Sequence, residues 1–120
     1  MIKHFFMVGL GGAIGSMLRF AVGLLFINKL FPLATFLINI IGSFFIGLII
    51  GFVIKHESID NNWKLFLATG ICGGFTTFST FSFENLQLLQ QGKIVLSMFY
   101  ILGSVVLGIT AAWMGYKFIN

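Results

Sequence analysis

Charge is what this sequence lacks most. Lysine, arginine, aspartate and glutamate make up 8% of its 120 residues, against roughly a quarter in an ordinary soluble domain. Acids are scarcest, with Glu57, Asp60 and Glu84 only. Such a chain cannot coat a small core with a polar shell, which excludes a soluble globular domain. There is one proline, Pro32, and one cysteine, Cys72. A lone cysteine makes no intrachain disulfide, and no C-x-x-C pair or His/Cys cluster announces a metal site. His4 and His56 stand apart at segment ends and read as interfacial residues. The basic residues give a net charge of +4 but form no stripe. A surface that follows phosphates is therefore absent, and nucleic acid is not an expected partner. No nucleophile–base set is present either, so an enzyme is not expected.

What is present is apolar: 58% hydrophobic residues and a mean hydropathy of +1.06. This is the composition of an all-α integral membrane protein with one membrane domain, residues 1–120. A span needs about 20 mostly apolar residues. Residues 5–27, 33–54, about 64–89 and 94–118 qualify. The first run is too long for the apolar region of a secretory signal, and no A-x-A-like site follows it, so it is read as a retained span. The connectors are short, and the only truly hydrophilic one runs from Lys55 to Asn62. Four helices so joined run up and down and bring both termini to one side. That side carries Lys3, Lys55, Lys64 and Lys117. The other carries Lys29 and Lys93, with Arg19 leaning toward it. The bias is weak under the positive-inside rule. It fits ordinary insertion, and it also fits insertion in both directions, which permits an antiparallel homodimer.

Polar residues at bilayer depth cost free energy unless they pair or line a wet cavity. Here they are ordered. Thr35, Asn39 and Ser43 recur every fourth residue and share a helix face, as do Tyr100, Ser104 and Gly108. These stripes serve either as interhelical glue or as a pathway. If a pathway, the amide and hydroxyls suit an anion, since they donate hydrogen bonds. Arg19 either attracts an anion or snorkels to the interface. In the third span, Gly73-Gly74 precedes Phe75-Thr76-Thr77, and both glycines and β-branched residues weaken a helix interior. The expectation is a break at about residues 73–76, with an unbroken helix carrying a packing notch as the alternative. Ser79 and Thr80 add hydroxyls beyond it. Phe78 and Phe81, three apart, share a face, and their partly positive ring edges can receive an anion.

Three segments resemble the motifs of the Fluc fluoride channels, also called CrcB: GGAIGSMLRF (11–20), FPLATFLINIIGSFFIG (31–47) and GICGGFTTFSTFSFE (70–84). The likeness runs the length of the chain. It implies an antiparallel, dual-topology homodimer with a broken third helix, two fluoride pores and a central structural sodium ion. It also implies passive fluoride export across the cell membrane, which confers fluoride resistance. By motif alignment the sodium carbonyls fall at Gly73 and Thr76. The pore asparagine falls at Asn39, the aromatic box at Phe78 and Phe81, and the polar track at Tyr100 and Ser104. Thr35, Ser43, Thr77, Ser79 and Thr80 complete the expected pore lining, and Arg19 the charged vestibule. Gly108 stands where some members have serine. Glu84 matches an acidic position, and the motif gives it no role. The competing reading is a small four-helix proton-coupled multidrug exporter. That machine needs an acid in the first helix, where this chain offers only Arg19. A helical subunit without transport activity is the third reading, and such a subunit would be inert when purified alone.

Overall fold

A computed structural model describes residues 1–28 and 30–120; Lys29, counted above for orientation, lies outside the described residues. Three rods, α1 (Ile2–Leu25), α2 (Leu33–Lys55) and α5 (Ile94–Ile119), are continuous α-helices. The third span is composite. It begins at Asn61–Lys64, widens into π-type geometry over Leu65–Cys72 and closes with a turn at Gly73–Phe75. Residues 61–75 are α3 below. After Thr76 and Thr77 comes α4 (Phe78–Gln90). Among the described residues there are no strands. Four segments, Ile2–Leu25, Leu33–Lys55, Asn61–Gln90 and Ile94–Ile119, are long and apolar enough to cross a membrane. The chain is a multi-pass membrane protein.

The helix ends have local causes. α1 stops at Leu25, short of residue 27, because Phe26 leaves helical values (φ −114, ψ 66). Asn28 Oδ1 then accepts from the Leu30 and Phe31 N–H groups at 2.8 and 3.3 Å, turning the chain toward Pro32. α3 starts before residue 64 because Asp60 caps it, accepting from Asn62 N–H at 3.1 Å. α4 ends at Gln90, and Gly92 follows with a φ of +76 that only glycine adopts cheaply. That reversal lets Lys93 N–H reach back to the Leu88 carbonyl at 2.8 Å.

The bundle is turned outward. Phe5, Phe6, Phe20, Phe99 and Phe118 are all exposed, while the buried positions are mostly small or polar, among them Ala68, Thr35, Asn85 and Ser97. That is the pattern of a protein whose solvent is lipid, where close backbone approach replaces an oily core. α2 packs along α5, and α1 along α3. On the α1–α3 seam Gly11 meets Gly70: a Cβ added to Gly70 would lie 2.9 Å from Gly11 Cα and 3.1 Å from the Val8 carbonyl oxygen. Both obstacles are backbone and cannot swing aside. Gly70→Ala is expected to cost about 1 to 3 kcal/mol through overpacking, read as a lower melting midpoint in detergent.

Candidate functional site

The site grows from two residues that are not helical. Thr76 (φ −81, ψ 158) and Thr77 (φ −150, ψ 122) are extended between α3 and α4. Gly73 to Phe75, where the weak glycine stretch begins, keep helical geometry. The departure therefore sits just beyond the glycines. Side chains from other spans account for its place. Asn39 of α2 pairs with Thr77 as a neighbouring strand would: Thr77 N–H donates to Asn39 Oδ1 at 2.9 Å, and Asn39 Nδ2 donates to the Thr77 carbonyl at 3.0 Å. Arg19 of α1 donates from Nε to the Gly74 carbonyl at 3.1 Å. Thr76 folds its hydroxyl back onto the Cys72 carbonyl at 2.9 Å. Thr77 Oγ1 caps α4, accepting from Thr80 N–H at 3.2 Å.

Beside this stretch lies a groove of about 420 Å³ between α2, α3, α4 and α5. Asn39, Ser43, Thr77, Phe78, Phe81 and Ser104 line it, together with Gly73, Thr76 and Cys72. Phe78 and Phe81 stand side by side, ring centroids 5.9 Å apart. Phe78 is 79% exposed. Phe81 is half-buried, with its ring edge-to-face on Tyr100 at 4.8 Å. Ser43 Oγ donates to the Asn39 carbonyl at 2.6 Å. Ser104 Oγ is buried with no hydrogen-bond partner among the described residues. Hydroxyls, one amide and two aromatic rings thus line one open-sided space at the depth of the helix interruption. A space so lined offers hydrogen-bond donors without a fixed charge, which suits a small anion passing through.

The other sequence candidates lie elsewhere. Thr35 and Tyr100 are buried and point at Glu84: Thr35 Oγ1 donates to Oε2 at 2.9 Å, and Tyr100 Oη to Oε1 at 2.8 Å. Tyr100 is fully buried among Phe31, Phe36 and Phe81. Ser79 and Thr80 are exposed on α4, Ser79 Oγ resting 3.4 Å from Thr77 Oγ1. Thr80 and Arg19 line a separate cavity of about 300 Å³ between α1, α2 and α4. Glu84 is the residue whose role sequence reasoning missed. It ties α4 to both α2 and α5, next to a second tie in which Ser97 Oγ donates to Asn85 Oδ1 at 2.8 Å. The available signal was its standing as the only acid inside a span.

Gly108 follows Ser104 by one turn on α5. A Cβ added there would meet Ser43 Oγ at 3.6 Å, an ordinary contact. Gly108→Ser is therefore expected to fold as the wild type does and to leave the stability, read from the melting midpoint, within about 0.5 kcal/mol, while placing one more hydroxyl beside Ser43.

The model of a family described as CrcB-like protein, Camphor Resistance (CrcB), matches residues 6–116. The chain belongs to this family. Among its relatives is the fluoride-specific ion channel FluC of Azobacteroides pseudotrichonymphae, 48% identical over 97% of this chain and 95% of that protein. The protein of the same name from Flavobacterium psychrophilum is 45% identical, covering 95% of this chain and 94% of its own length. One from Thermus thermophilus is 41% identical, covering 97% of this chain and 94% of its own length. The matched region takes in most of each of the four spans and the whole groove, so the open-sided polar groove belongs to the part of the chain that the family shares.

Proposed function

We propose that this chain is a fluoride channel: it lets fluoride leave down its gradient and lowers the cytoplasmic concentration, with no chemical step. The observation that carries this is the groove at the interruption, where Asn39, Ser43, Thr77 and Ser104 gather beside the rings of Phe78 and Phe81. Its relatives carry the name fluoride-specific ion channel. Fluoride is small and strongly hydrated, so a path must supply close donors in place of water, yet hold the ion weakly enough to release it. Neutral hydroxyls, an amide and ring edges meet that compromise better than a fixed cation would.

The working unit in this reading is an antiparallel homodimer inserted in both orientations, with two pores. Its support is the open side of the groove and the character of Gly73. Gly73 is exposed, and a Cβ there would meet nothing nearer than the Ala68 carbonyl at 3.9 Å. Nothing within the chain crowds it, so the close approach that favours glycine comes from outside, as a second copy crossing at this point would provide. A sodium ion on the two-fold axis fits the donor chemistry. The Thr77 and Thr80 amides, which would close helical bonds onto the Gly73 and Thr76 carbonyls, are given to Asn39 and to Thr77 Oγ1 instead. Gly73 and Thr76 carbonyls would hold the ion, which supplies positive charge where two α3 ends meet carbonyl first.

The test is direct. Purified chain in liposomes loaded with potassium fluoride is expected to release fluoride to an external electrode once valinomycin relieves the charge imbalance. Chloride-loaded liposomes are expected to retain their anion. Verified incorporation without fluoride release would reject the function.

A further inference from the structure

Asn39 makes one contact set that a residue simply lining a path has no need of. Its side-chain amide meets Thr77 on both backbone atoms, at 2.9 and 3.0 Å. In a continuous helix the Thr77 N–H would donate to the Gly73 carbonyl, four residues earlier. Here it does not, because Asn39 Oδ1 takes it and Thr76 and Thr77 are extended. Gly73 lines the groove and is exposed, and its carbonyl is left without the Thr77 donor a helix would give it.

We propose that Asn39 is a positioning residue: by taking the Thr77 amide away from the Gly73 carbonyl it keeps the third span open, and it acts on transport through that backbone. Arg19 is the second jaw. Its Nε holds the Gly74 carbonyl on the α3 side of the gap, as Asn39 holds Thr77 on the α4 side. The two jaws come from different spans and grip opposite sides of the same short stretch. Ser43, one turn on, spends its hydroxyl on the Asn39 backbone carbonyl at 2.6 Å and leaves the Asn39 side-chain amide to Thr77. Cys72 sits outside this grip except through its carbonyl, which takes both the Thr76 N–H and the Thr76 hydroxyl. The consequence for Arg19 is specific. One of its N–H groups is committed to a backbone oxygen, so its place in the span has a structural cause independent of any passing anion. The consequence for Asn39 is that its donor and its acceptor matter together. A residue that only offered a hydrogen bond to fluoride would need the donor alone.

This inference deepens the fluoride-channel reading and rests on it for the transport readout. A second readout does not. In the wild-type protein in detergent, deuterium exchange at the Thr77 amide, followed by NMR with selectively ¹⁵N-labelled threonine, is expected to be slow. Exchange as fast as at an exposed loop amide would overturn the clamp whatever the channel does. For transport, the Thr77 backbone N–H is replaced by an ester oxygen, using the α-hydroxy analogue of threonine. The ester alone and Asn39→Ala alone are each expected to slow fluoride efflux about tenfold, equivalent to about 1.4 kcal/mol. Together they are expected to slow it no more than Asn39→Ala alone, since the ester breaks one of the two bonds that Asn39→Ala removes. Multiplying effects, or an ester that transports like the wild type, would overturn the proposal. Asn39→Asp keeps the acceptor for the amide and removes the donor to the Thr77 carbonyl. It is expected to keep Thr77 exchange slow yet to slow efflux, because the donor to the Thr77 carbonyl is gone, and efflux at the wild-type rate would overturn the donor's part in the clamp. Should Asn39→Ala elute as aggregate, the ester and the wild-type exchange rate decide the clamp. Arg19→Lys, which can still donate to Gly74, is expected to recover most of the efflux lost in Arg19→Ala. Equal loss in both would remove Arg19 from the clamp. Wild-type liposomes that fail to release fluoride would sink the channel reading and leave the exchange experiment to decide the clamp alone.

Discussion

Replacing Phe78 or Phe81 by isoleucine is expected to slow fluoride efflux by about a hundredfold per reconstituted chain, while the protein still elutes as it did. Phe78 is the cleaner of the two. It is 79% exposed in the single chain and makes its aromatic contact with Phe81 alone. Removing its ring therefore takes little from the fold, and isoleucine keeps most of the apolar bulk. What isoleucine cannot supply is a polarised ring edge, the one feature of phenylalanine that favours an anion. Phe81 has a second duty. Its ring meets Tyr100 edge-to-face at 4.8 Å and walls off the hydroxyl pair at Glu84. Phe81→Ile is accordingly expected to lose the aromatic pairing as well, about 0.5 to 1.5 kcal/mol of stability. The two variants thus separate path from packing. If the rings served only as bundle packing or lipid contact, Phe78→Ile would transport as the wild type does and Phe81→Ile would differ only in its melting midpoint. Measuring efflux rate and midpoint on the same preparations distinguishes the outcomes.

How far the sequence alone reaches can be seen residue by residue. The spans are written in hydropathy, which is a property of each stretch by itself. Phe78 and Phe81 on one face follow from helical spacing, and the structure sets their rings side by side. Asn39 and Ser43 share a face for the same reason, and they meet in the groove. Local propensity points to the weak stretch in the third span but not to where it departs from the helix. It marks Gly73, Gly74 and the β-branched Thr76 and Thr77 alike and expects the break at about 73–76; Gly73 and Gly74 stay helical, while Thr76 and Thr77 are extended. A side chain 38 residues away decides that, through hydrogen bonds no window of sequence contains. The same holds for Thr35 and Tyr100. Their spacing assigns them to polar stripes, but their partner is Glu84, 49 and 16 residues distant. The π-type geometry of Leu65–Cys72 leaves no periodic trace either, since the segment reads as one more apolar stretch of the span. Local composition thus fixes what crosses the membrane, and tertiary hydrogen bonds fix where the crossing is interrupted.

Those distant bonds make Glu84 the most sensitive single position. Glu84→Ala is expected to lower stability by about 2 to 4 kcal/mol, because it leaves two buried hydroxyls without an acceptor. Tyr100 is fully buried and Thr35 is 5% exposed, so water cannot readily replace the lost oxygens. Membrane-buried hydrogen bonds are often individually modest because alternative partners can be found. Here the choice is narrow: Tyr100 is fully buried, and its ring packs on Phe31, Phe36 and Phe81. The loss also loosens α4, which depends on Glu84 and on the Asn85–Ser97 bond for its polar ties to the bundle. Since α4 carries Phe78 and Phe81, efflux is expected to fall together with the midpoint. Glu84→Gln keeps the shape and one carbonyl acceptor, and its amide can donate to the remaining hydroxyl oxygen, so it is expected to retain more than half of the lost stability. Tyr100→Phe supplies the cross-check. In the Glu84→Ala background it removes the orphaned hydroxyl and is expected to restore part of the midpoint, whereas in the wild-type background it lowers it. A Glu84→Ala protein that melts with the wild type would show that the two hydroxyls draw nothing from the carboxyl group and that α4 is held by packing alone.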